Sequence, residues 1–113
     1  MRELNFNTIN RYTFRVVLDD EKQTALDVKL ANKGMINTLL ITYGHMSQIA
    51  QNDEKKADLY NDLTDLCARL LSYNRQGITY TAEQIDKMWS VDDMALFINA
   101  YTNFIYDITN EKN

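Results

Sequence analysis

The sequence predicts an α+β fold, an N-terminal β-hairpin packed on about four mostly antiparallel α-helices, and three observations carry that expectation. Apolar residues alternate with polar ones between residues 12 and 30, and from residue 32 onward they recur at three- and four-residue steps instead. The 113 residues contain no Pro and only three Gly, which leaves few signals for long loops. Two stretches, Thr81-Ala82-Glu83-Gln84 and Ser90-Val91-Asp92-Asp93, carry the residue types that begin helices. The length suits one hydrophobic core and hence a single domain over residues 1–113. Its parts are a hairpin at 12–30, a helical part at 32–108 and a frayed tail at 109–113.

Residues 1–11 are mostly polar, with Leu4, Phe6 and Ile9 as exceptions, and form an irregular or weakly extended lead-in. Tyr12, Phe14, Val16 and Leu18 then share one face of a strand, with Thr13, Arg15 and Val17 on the other. The polar run Asp19 to Gln23 interrupts the alternation, and Leu26, Val28 and Leu30 resume it. A lone hairpin is marginal in water, so its apolar face needs a cover. Helices supply it.

Asn32 has the short acceptor side chain of an N-cap. After it, Met35, Ile36, Leu39, Leu40, Tyr43, Met46 and Ala50 form a stripe, predicting a first helix to about Gln51. Asp53 is placed to cap a second helix from Glu54 or Lys55, with Leu59, Tyr60, Leu63, Leu66, Cys67, Leu70 and Leu71 inward. This helix is expected to end between Tyr73 and Gln76, with Gly77 taking the left-handed conformation after it. Thr81 and Gln84 match the capping box for a short third helix that turns Ile85, Met88 and Trp89 inward. Ser90 caps a fourth helix, and Asp92 and Asp93 sit at the positive end of its dipole. Its inner face is Met94, Phe97, Ile98, Tyr101, Phe104, Ile105 and Ile108.

The composition excludes several classes of function. With 45% hydrophobic and 25% charged residues the chain is a folding one, and no apolar run approaches the roughly 20 residues that span a bilayer. No membrane partner is expected, nor a signal peptide in the opening residues, and a single Cys fits the reducing cytoplasm. A net charge of −4 with basic residues scattered among acids opposes binding to nucleic acid. His45 near Asp53 and Glu54 lacks a second histidine, a nucleophile or a Gly-rich loop, so no catalytic residue is assigned. Cys67 lies on an apolar stripe, where a thiol acts as a small hydrophobe. Asp92 and Asp93 are consecutive on a helix and do not converge on one point, so neither a metal nor any other cofactor is expected. Trp89, Phe97, Tyr101 and Phe104 lack the basic groove of a base-stacking platform and are expected in the core. Three apolar residues fall off the stripes: Ile41, Leu96 and Tyr106. These are the candidate partner-binding residues, on condition that they cluster in space.

The order of these features, an extended segment and a helix followed by LTDLCARLLSYNRQG, ITYTAEQIDKMW and SVDDMALFINAYTNFIYDI, resembles the small tail assembly chaperones of long-tailed bacteriophages and their prophages. The likeness is one of pattern over residues 12–108. It implies a non-enzymatic protein in the cytoplasm of an infected or lysogenic bacterial host. Its partner would be the tape measure protein, a long, largely helical and aggregation-prone chain held soluble until tail tube subunits polymerise around it. The tail tube protein is then a further possible partner, and homo-oligomers a possible state. Two alternatives stay open: a helix-turn-helix regulator using residues 81–108, and a structural head-tail connector component. The former is opposed by the lack of any Lys or Arg between Val91 and Ile108, where there are three Asp.

Family members are often also made as a longer product by ribosomal frameshifting. Glu111-Lys112-Asn113 is compatible with the slippery heptamer A AAA AAC or A AAA AAT. If this chain follows the family in that respect, the codons for these residues contain such a run with an overlapping downstream frame; finding neither the run nor the overlapping frame removes the frameshift.

Overall fold

The computed structural model describes residue 3 and residues 12–46 and 53–111, of which 53–55 and 109–111 are described by their backbone alone. The elements follow the predicted order: strands β1 (Thr13–Val17) and β2 (Ala25–Lys29), then helices α1 (Lys33–Met46), α2 (Asp53–Ser72), α3 (Ala82–Met88) and α4 (Val91–Glu111). The architecture is therefore α+β, a two-stranded antiparallel hairpin against four helices. The lead-in before residue 12 lies outside the described residues, Glu3 apart.

β1 and β2 pair from Thr13↔Lys29 to Val17↔Ala25, so Phe14, Val16, Leu26 and Val28 share one face. Leu26 and Val28 are completely buried, and Phe14 and Val16 pack on the same core. In the connecting turn the two Asp20 carboxylate oxygens accept from the Thr24 hydroxyl (2.6 Å) and the Thr24 N–H (2.8 Å). These bonds favour the ionised form and hold the Asp20 carboxyl below its ordinary pKa. Gln23 takes φ +48°, a left-handed conformation, and donates its N–H to the Asp20 carbonyl at 3.0 Å. Tyr12 and Leu30, expected on the core face, are exposed. Both lie one residue outside the strands, where nothing fixes the alternation.

The outer edge of β2 is closed by the chain itself, a feature the sequence pattern did not announce. α2 stops at Ser72 instead of running on to Tyr73–Gln76, and those residues lie along β2. The Lys29 N–H donates to the Tyr73 carbonyl (2.8 Å), the Arg75 N–H to the Asp27 carbonyl (3.0 Å), and Val28 and Asn74 form an antiparallel bridge. The Gln76 side chain accepts from the Asp27 N–H and donates to the Asp27 carboxylate, both at 2.8 Å. Asn74 is buried with its amide satisfied: it donates to the carbonyls of Leu71 (2.7 Å) and Ile78 (2.8 Å) and accepts from the Ile78 N–H (3.1 Å). Gly77 has φ +72°, the left-handed residue expected there.

α2 touches β2, α1, α3 and α4. Its predicted stripe is its buried face, from Leu59 through Leu71, with only Tyr60 half-buried. The helix starts on Asp53 itself, so that residue stands inside the first turn and not at the cap. α1 is capped as expected, Asn32 Oδ1 accepting from the Met35 N–H at 2.9 Å. Of its predicted stripe Leu39 is buried and Met35, Ile36 and Met46 pack against the core, while Leu40 and Tyr43 fall outside the contact. Leu39 and Thr42 are buried while Leu40 and Tyr43 are exposed, because α1 packs mainly on α2 and less on α4, and the apolar arc is wider than that contact. The expected continuation of α1 to Gln51, including Ala50, lies outside the described residues.

α3 carries the complete capping box: Thr81 Oγ accepts from the Gln84 N–H (3.1 Å), and the Gln84 side chain accepts from the Thr81 N–H (2.8 Å). Ser90 and Asp93 repeat it at α4, with the Asp93 N–H donating to the Ser90 hydroxyl (3.1 Å) and the Ser90 N–H to the Asp93 carboxylate (3.0 Å). Ile85 is buried, but Met88, expected inward, is exposed at the last residue of α3. α4 continues to Glu111, beyond the tail boundary expected after Ile108.

α4 meets the hairpin through rings. Phe14 stacks on Phe104 (5.6 Å between centroids) and meets Tyr101 edge-on (6.2 Å), and Trp89 lies against Phe97 (5.2 Å). The Tyr101 hydroxyl accepts from the Ala31 N–H (2.8 Å) and donates to the Lys29 carbonyl (2.9 Å), fastening the end of β2 to the middle of α4. Tyr101→Phe keeps the ring and leaves both backbone groups without this partner. The expected cost is about 1–3 kcal/mol of unfolding free energy, checked by urea titration.

Candidate functional site

Among the grooves that open between the described elements, two bear on function. The first, about 330 Å³, runs beside β1 between the strand and the α3–α4 corner. Consecutive residues Phe14 to Asp19 form one wall, so it follows the strand edge itself. The opposite wall consists of Met88, Trp89, Asp93, Leu96, Phe97 and Ala100. The Ser90 turn fixes this wall, because its reciprocal bonds set where α3 stops and α4 starts. Met88 and Leu96 are thereby left on the rim, with Trp89 and Phe97 beneath them.

The second groove, about 320 Å³, lies between α1 and α2 and brings Ile41 and His45 together with Asp62, Asp65 and Arg69. It is the more polar of the two, and Thr38, Thr42 and Leu66 complete its lining. His45 thus shares this groove with Asp62 and Asp65 of α2, while the side chains of Asp53 and Glu54 lie outside the described ones. No group of three or more His, Cys, Asp or Glu among the described residues could hold a metal ion.

The three candidate partner-binding residues are all exposed, Leu96 at 69%, Ile41 at 61% and Tyr106 at 56%, but they do not form one patch. Leu96 borders the first groove and Ile41 the second, while Tyr106 lines neither. Leu96 gains different neighbours, Val17 and Met88, both exposed on the same groove. Val17 was legible as an outward residue of its strand; Met88 was not, since period alone cannot show that α3 ends beneath it. Around Leu96 and Tyr106 the outer face of α4 carries Asp92, Asn99, Asn103 and Asp107.

Cys67 is fully buried, its thiol 3.9 Å from the Met94 carbonyl, and burial pushes its pKa up to about 12. A protonated, enclosed thiol is a poor nucleophile. Trp89, Phe97, Tyr101 and Phe104 form the ring cluster under the hairpin, the core position expected for them. No helix among the described residues is long and apolar enough to cross a membrane.

Comparison with known protein families, with curated proteins and with solved structures finds no match for this chain.

Two buried groups make stability depend on alkaline pH. Burial raises Cys67 from 9.0 to about 12, and burial, chiefly, raises Tyr101 from 10.0 to about 12. Both are neutral in the fold and ionise more readily when unfolded, so their contribution is complete below pH 9.0 and is lost as pH rises toward about 12. Urea midpoints are expected to fall from about pH 9 upward, and in Cys67→Ala, whatever its overall stability, the decline is expected to begin nearer pH 10.

Proposed function

We propose that this chain is a non-enzymatic protein-binding chaperone of the kind its element order resembles, a tail assembly chaperone of a long-tailed bacteriophage or prophage. In this reading it binds the tape measure protein in the host cytoplasm and keeps it soluble during tail assembly. The observation that supports the reading is the first groove: exposed Val17, Met88 and Leu96 gather over half-buried Trp89 beside a strand edge. Apolar side chains gathered on a rim are what a binder of non-native chain needs, and a shallow groove tolerates varied sequences. The net charge of −4 favours a soluble complex when the client is apolar. Ile41 and Tyr106 lie away from this groove and are secondary candidates for contact with the tail tube protein or a second copy.

Co-expression with the tape measure protein from the same genome is the direct test. The soluble fraction of the tape measure protein is expected to rise with this chain present and to fall back with Leu96→Asp, which places a charge on the rim. An unchanged soluble fraction with and without the wild-type chain removes the chaperone reading.

A further inference from the structure

The two edges of the hairpin differ, and the hydrogen-bond parity shows how. Asp27 and Lys29 direct their backbone groups away from β1, toward residues 73–76. The β2 residues facing β1 are therefore Leu26 and Val28, paired with Val16 and Phe14. The Leu18 N–H, bonded to the Thr24 carbonyl at 2.8 Å, continues this parity. Thr13, Arg15 and Val17 consequently direct their N–H and C=O groups outward, over about 17 Å of strand. Among the described residues nothing pairs with them.

Edge strands of this kind are usually blunted by Pro, bulges, inward charges or a covering element. Here the strand has no Pro, and Arg15, held 3.3 Å from Asp27, is its only charge. Beside the edge runs the apolar groove, on the side to which Phe14, Val16 and Leu18 point. An added strand would place every second side chain in that groove while its backbone satisfies the edge.

Charge selects the occupant. A second copy paired antiparallel along the full edge centres on Arg15, putting two guanidinium groups directly opposite each other, an arrangement that destabilises a sheet. A different strand with an acidic residue at that position gains what the second copy loses. At the far end of the edge Asp19 lines the groove, and Asp20 lies close enough to Tyr80 for its charge to add to the burial that raises that phenol's pKa. This acidic end favours a basic residue.

We infer that the free edge of β1 takes an extended segment of a partner protein as an added antiparallel strand, with alternate apolar side chains in the groove, an acidic residue opposite Arg15 and a basic residue beside Asp19. The inference rests on the protein-binding reading above and specifies how the client is held. Backbone bonds supply a grip that does not depend on client sequence, and the groove and the charges supply preference.

The test uses the full chain and a dye-labelled, end-blocked peptide Lys-Val-Thr-Val-Glu-Val, followed by fluorescence anisotropy. Saturable binding to the wild type is expected. Val17→Pro removes an outward N–H that the hairpin does not use, a position where a strand accepts Pro. It is expected to keep the wild-type circular dichroism spectrum and weaken binding about tenfold or more. Leu96→Asp, at an exposed position, is expected to weaken binding similarly and serves if Val17→Pro does not fold. No saturable binding by the wild type, or undiminished binding by both folded variants, overturns the inference. A wild-type dimer that Val17→Pro disperses overturns it in favour of a second copy. If Val17→Pro still raises tape measure solubility in co-expression, strand addition fails while the chaperone reading stands.

Discussion

The Tyr101 hydroxyl is the contact on which the arrangement of this protein depends. It lies at the point where the chain leaves β2 and enters α1, and it satisfies the Lys29 carbonyl and the Ala31 N–H together. A hairpin of two five-residue strands has little stability of its own. Its apolar face is held against α4 by Phe14 packed among Phe97, Tyr101 and Phe104, and its end is pinned by that one hydroxyl. Because the ring and the hydroxyl belong to one side chain, burial and directional bonding reinforce each other. The aromatic cluster fixes the distance of the hairpin from α4, and the hydrogen bonds fix its position along the helix.

From that anchoring follows the asymmetry of the hairpin. One edge is closed by residues 73–76, which leave α2 and lie along β2 before Gly77 turns the chain toward α3. Among the described residues, the other edge has only the groove beside it. The same α3–α4 corner that buries Ile85 and half-buries Trp89 leaves Met88 and Leu96 on the rim of that groove, so the exposed apolar rim is a by-product of how the core is closed. The Ser90 and Asp93 bonds determine where the rim stands, and the two residues act as helix punctuation.

Much of the fold was legible in the residues. The period-two run gave the hairpin, the stripe from Leu59 to Leu71 gave the buried face of α2, and the two capping boxes placed the starts of α3 and α4. These succeed because each depends on interactions within a few residues. Where the pattern misled, the decision was made by a distant neighbour. Leu40 and Tyr43 continue the same stripe as Leu39, but α1 packs mainly on α2, and the residues toward α2 are the ones that sink. Tyr73 to Gln76 continue a helical run in composition, yet an open edge of β2 offers their backbone a better set of partners. Ile41, Leu96 and Tyr106 are exposed, and the condition set for them, that they gather in one place, is not met.

By itself, then, the sequence determined the class of fold, the order of the elements, most of the core and the helix starts, because periodicity and capping are local physics. Only the tertiary structure decided which edge of the hairpin stays open, that Val17, Met88 and Leu96 share a groove while Ile41 and Tyr106 stand apart, and that Tyr101 joins strand to helix. Those outcomes turn on groups far apart along the chain, such as Arg15 with Asp27, 12 residues away, and Lys29 with Tyr101, 72 residues away. Separation of that size leaves no periodic trace in the sequence, since packing, not spacing, brings such groups together.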